Sequence, residues 1–78
     1  MNIGDKIDRS ILIKRFEPVE FRSEIISKFG HSGGLVYDRF IRNYKNGNAI
    51  WSFSETKGLK NSFGFVMIRD DVIVEMES

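Results

Sequence analysis

Cysteine is absent from this 78-residue sequence. Disulfide stapling and cysteine-ligated metal are therefore excluded, and the composition is compatible with a reducing cytosol. Histidine occurs once, as His31. With no cysteine beside it, it offers no donor set for a transition metal. No apolar run approaches the roughly 20 residues that span a bilayer. Met1-Asn2-Ile3-Gly4-Asp5-Lys6 carries charge where a secretory signal would be apolar. The expectation is a cytoplasmic protein without a membrane segment. An excess of either charge is also missing: 12 Lys and Arg face 11 Asp and Glu, a net +1. That argues against a polybasic carpet for nucleic acid. Repeats and low-complexity stretches are lacking too. Such a length makes one domain, residues 1–78, with a core small enough that a partner, a second copy or economical packing matters for stability.

The charges that are present are unevenly spread. Residues 31–60 carry Arg39, Arg42, Lys45, Lys57 and Lys60 against Asp38 and Glu55. Residues 61–78 carry Arg69 against Asp70, Asp71, Glu75 and Glu77. The middle is basic and the end acidic. For any one of these side chains, ordinary solvated surface is the competing reading.

Apolar periodicity supplies the elements. Ile3, Ile7 and Ile11 are spaced by four, with Leu12 and Phe16 continuing the stripe, which predicts a helix over 3–16; Ile11-Leu12-Ile13 would also suit the start of a strand. Glu17-Pro18 breaks the pattern, and Pro18 or Ser23 opens a second helix whose face is Phe21, Ile25 and Phe29. Gly30 ends it. His31-Ser32-Gly33-Gly34 reads as a tight turn, after which Val36, Phe40 and Tyr44 form the core stripe of a third helix that stops at Asn46-Gly47. From there the period becomes two. Residues 50–54 and 63–69 predict a hairpin joined by a loop carrying Lys57 and Lys60, and Val72-Ile73-Val74 predicts a short third strand after a turn at Asp70-Asp71. Its acidic residues are expected to guard an exposed edge.

No catalytic constellation emerges. Gly30-His31-Ser32-Gly33-Gly34 contains the letters G-x-S-x-G, but a nucleophile elbow needs a preceding strand and a histidine brought from elsewhere. Asp70, Asp71 and Glu75 suit a turn and a solvated strand face better than a magnesium site. The expectation is a binding protein, not an enzyme, with no cofactor and no metal.

The run from Phe21 to Ile50, with Gly30 closing a helix, Ser32 in the turn, Val36 early in the next helix, and Gly47 and Ile50 leading into the hairpin, resembles a winged helix-turn-helix domain over residues 4–69. The fold this implies is α+β: three helices, a β-hairpin wing and a short third strand. The implied function is a small DNA-binding regulator of transcription reading duplex DNA. Ser32, Tyr37, Asp38, Arg39, Arg42 and Lys45 on the third helix would face the major groove, and Lys57 and Lys60 in the wing would face phosphates. Two other readings stand beside it. Gly30-His31-Ser32-Gly33 also fits the Gly-x-x-Gly loop of KH domains, which bind single strands; that would need residues 10–16 as a strand paired with 63–69. Alternatively the domain is a protein-interaction module or inhibitor that does not bind DNA. Trp51, Phe53, Phe63, Phe65 and Met67 exceed what a two-stranded wing can bury, and the surplus would form a partner or homodimer interface.

Overall fold

The structure, a computed structural model covering residues 1–78, has two α-helices, not three. After an irregular N-terminal segment and a 3₁₀ turn at Arg9–Ile11 come β1 (Leu12–Phe16), α1 (Pro18–Phe29), α2 (His31–Arg42), β2 (Ala49–Lys57), β3 (Lys60–Arg69) and β4 (Val72–Glu77). The strands form one antiparallel sheet in chain order, β1-β2-β3-β4. The class is α+β, but the winged arrangement of three helices and a wing is wrong. The four-residue isoleucine spacing does not make a helix: Gly4 has φ 96° and residues 12–16 pair with β2, Leu12 opposite Phe53 and Phe16 opposite Ile50. Pairing with β2 gives these side chains a buried partner that an isolated stripe lacked. The KH condition is not met either, because β1 pairs with β2 and not with residues 63–69.

Local chemistry explains the helices. Pro18 occupies the first turn of α1, and Glu17 and Glu20 close a capping box, the Glu17 side chain accepting from the N3 backbone while Glu20 accepts from the Glu17 N–H at 3.1 Å. Gly30, at φ 60°, joins α1 directly to α2. The expected glycine turn thus shrinks to one residue, and His31 to Gly34 are helical. Gly33 is there for packing. A β-carbon on it would come within 2.5 Å of the Ile25 carbonyl oxygen, so only glycine lets the helices approach this closely. α2 ends at Arg42, short of Asn46-Gly47.

Both hairpins turn in two residues. Gly58-Leu59 links β2 to β3 with positive φ at Gly58 only, and Asp70-Asp71 links β3 to β4 with both residues at positive φ, as a type I′ turn demands. The expected lysine loop is therefore mostly strand, with Lys57 paired to Lys60 across the turn.

The sheet is covered on both faces. On the helix side Phe16, Ile50, Phe65 and Met67 pack against Phe21, Ile25 and Phe40, with Phe21 and Phe65 edge-to-face at 5.2 Å between centroids. On the other side Phe53, Val66, Ile68 and Ile73 pack against Ile7, Met1 and Ile11 of the N-terminal segment. Phe65 and Met67 on one face and Val66 and Ile68 on the other follow the alternation read in the sequence.

Lengths decide what remains uncovered. Each helix has 12 residues, about 18 Å at ~1.5 Å per residue. β3 has 10 residues, about 33 Å at ~3.3 Å per residue. The β2–β3 hairpin therefore overhangs the helices, and β1 pairs with β2 only as far as Phe53. No helix is long and apolar enough to cross a membrane.

Candidate functional site

The residues expected to form one DNA-reading surface do not come together. Ser32 is exposed in the first turn of α2. Tyr37 is half-buried, its ring 6.1 Å from that of Phe21 and flanked by Arg22 at 5.8 Å. Asp38 is exposed. Arg42 and Lys45 are exposed where the chain leaves α2 for β2, Lys45 close to Asn48 and Arg69. Lys57 and Lys60 are exposed at the hairpin tip. The tip and Arg69 lie at opposite ends of β3, so the two basic groups sit at opposite ends of a molecule 32 Å long.

Arg39 departs furthest from expectation. Its guanidinium turns onto β4, donating to a Glu77 carboxylate oxygen and, at 3.3 Å, to the Met76 carbonyl. Its Nε is buried 3.5 Å from Glu75 Oε1, an ion-pair distance without hydrogen-bond alignment. Glu75, only 8% exposed, also accepts from Asn43 Nδ2 at 2.8 Å. A bulge at Met67 and Ile68 directs Glu75 and Glu77 toward the helix side, opposite Met67 and Phe65. Those acids therefore hold α2 on the sheet and do not simply solvate an edge. Glu75, Asp70 and Asp71 do not converge as cation ligands either: Asp71 accepts from Arg9 at 2.7 Å, and no group of three acidic or histidine side chains gathers anywhere.

What the fold does gather is apolar. Where the hairpin overhangs the helices there is a groove of about 590 Å³, lined by Ile13 of β1, Phe29 at the end of α1, Phe63 and Phe65 of β3, and the serines Ser52 and Ser54 of β2. Ile13 is 64% exposed, Phe29 44% and Phe63 69%. The aromatic surplus noted in the sequence resolves here. Phe53, Phe65 and Met67 are buried and Trp51 is half-buried against the N-terminal side, leaving Phe63 of that set open. Phe29 was expected in the core with Phe21 and Ile25, but it lies one turn past the point where the sheet-facing cluster ends. Ile13 was legible only through the option of a strand starting at Ile11-Leu12-Ile13, since its exposure depends on β1 being a strand. Lys28 is the one cation on the groove, and it is already 3.6 Å from Glu24. Isolated exposed apolar residues are ordinary, but three converging on a concavity form a patch of the kind that binds.

No protein-family model, curated protein or solved structure matches this chain.

Proposed function

We propose that this chain is a non-enzymatic protein-binding domain, and that its partner is received in the Ile13–Phe29–Phe63 groove. The observation that carries this is the convergence of those three exposed side chains beside the overhanging hairpin. Nucleic acid fits the groove poorly, because phosphate recognition needs several free cations and the groove offers only Lys28, which is paired. The test is a displayed random-peptide library selected on wild-type protein and on the Phe29→Ser/Phe63→Ser variant. Sequences enriched only on the wild type support the reading. No enrichment, or enrichment insensitive to the substitutions, overturns it.

A second reading keeps duplex DNA as the partner, through the hairpin alone. Lys57 and Lys60 flank an exposed tip on a two-stranded ribbon, and such a ribbon has the width to enter a major groove. Its test is a titration with random duplex DNA at two salt concentrations. Binding whose salt slope falls by roughly one per lysine replaced with alanine would favour it. Absence of binding removes it.

A further inference from the structure

We propose that the occupant of the groove is an extended acidic and apolar segment of another protein, which adds to β1 as a fifth strand. The inference rests on the protein-binding reading above and names the form of its partner. β1 is an edge strand, and beyond Leu12, whose N–H donates to the Arg9 carbonyl, its outer side is empty. No backbone hydrogen bond outside the regular elements involves residues 12–16, and the only side chain bonded to β1 backbone is Ser52, on the β2 side. An edge strand presents unpaired N–H and C=O groups, and an extended chain satisfies them while its alternate side chains enter neighbouring pockets. Ile13 stands at both places at once, in the strand and on the groove wall. A segment bonded to β1 therefore delivers every second side chain toward Ile13 and Phe29.

Charge selects the partner. Lys14 and Arg15 are exposed on the strand itself, and neither forms an ion pair. A second copy adding its own β1 would set these cations against each other, and like charges opposite one another in a sheet are destabilising. Carboxylates on the incoming strand are attracted instead. The bulge and cations of β1 thus discourage self-association and admit an acidic strand.

The probe is a short capped peptide alternating valine with glutamate, with three controls: an otherwise identical peptide carrying lysine for glutamate, an analogue of the acidic peptide N-methylated along one edge, and one N-methylated along the other. Binding is followed by amide chemical shifts and hydrogen exchange. The expected result is binding of the acidic peptide, slowed exchange at amides within residues 12–16, and a loss of roughly tenfold or more with the methylation that blocks the bonded edge. Lys14→Glu/Arg15→Glu should reverse the preference to the lysine peptide. Shifts at Phe29 and Phe63 without protection at 12–16 would overturn strand addition and leave the groove intact. Failure of both peptides would overturn the acidic-strand proposal, and whether the groove itself survives is then decided separately by the library selection on Phe29→Ser/Phe63→Ser.

Discussion

At β4 the edge of the sheet is closed along most of its length, whereas at β1 it is open. The N-terminal segment bonds to β4 through Gly4 N–H to the Ile73 carbonyl at 2.8 Å and Ile73 N–H to the Asp5 carbonyl at 2.9 Å, and Ile7 bonds to the adjoining Asp71 carbonyl. Further along, Arg39 caps the Met76 carbonyl and the Met76 N–H donates to Glu75. β1 has none of this. It relies on brevity, a bulge and two cations. The first edge is finished by contacts between distant parts of the chain, so it is part of what makes the fold stable. The second is only protected against wrong pairing, so it stays available. The overhanging hairpin and its groove lie beside the available edge, which is why exposed apolar surface collects there.

The largest expected effect comes from undoing the closed edge. Ile7→Ala removes a buried side chain that the N-terminal segment contributes beneath Phe53, Ile68 and Ile73, and should cost about 2–4 kcal/mol in chemical denaturation. Amides of residues 72–74 should then exchange faster relative to those of 12–16. Equal acceleration at both edges would show that the segment stabilises the sheet as a whole and not β4 in particular.

Next is Arg39→Ala. It leaves the buried Glu75 carboxylate with only Asn43 and the Met76 N–H, and the Met76 carbonyl without its cap. With 42% of the Arg39 side chain exposed, solvent screening limits the loss. A fall of about 1–3 kcal/mol is expected. Arg39→Lys should recover only part of it, since one ammonium cannot reach both acids and the carbonyl in the fork geometry of a guanidinium. A stability unchanged within ~0.5 kcal/mol would return Arg39 to the solvated surface.

On the open side, Lys14→Val/Arg15→Val should change stability by less than about 1 kcal/mol, the larger share being the Lys14 contact 4.9 Å above the Phe16 ring. The difference should appear in solution mass, as association that rises with concentration once the cations no longer oppose it. A strictly monomeric variant by light scattering would mean that the bulge alone protects the edge.

The smallest effect is one of pH. Asp8 accepts from the Ser10 hydroxyl and the Ser10 N–H, which hold its carboxyl below the ordinary 3.8, the hydroxyl contributing more. A lowered carboxyl pKa contributes stability that is present above the unfolded value and is lost as pH falls through the folded one. The stability advantage of wild type over Asp8→Ala should therefore shrink only below pH 3.8. A difference that stays constant down through that window would mean the charge is not involved.

Neighbouring residues sufficed to announce several elements. Pro18 opening a helix, Gly30 ending it, the change to a period of two before β2 and a turn at Asp70-Asp71 all follow from backbone preferences that operate within a few positions. Phe40 with Val36 was legible as the core-facing side of α2 because helical spacing is local, and Tyr44 packs on the same core just past the helix end. The groove was legible only as an aromatic excess around the hairpin, with no indication of which ring would stay outside.

The rest was settled by distance along the chain. Ile3, Ile7, Ile11, Leu12 and Phe16 satisfy helical spacing on paper, yet β2 offers residues 12–16 a hydrogen-bonded partner and the opposite sheet face offers Ile7 and Ile11 a hydrophobic one. The stripe alone does not reveal those competing partners. Arg39 looked free because Glu75 and Glu77 come more than thirty residues later, and a bulge in β4 decides which way they point. Phe29 and Phe63 are exposed because two short helices cover only the base of a longer hairpin. By itself the sequence determined where α1 opens and closes and where the chain turns at Asp70-Asp71, since those depend on local φ preferences and capping. Only the tertiary structure decided which edge would be closed and which left open, because closing an edge requires hydrogen-bonding partners from remote segments of the chain.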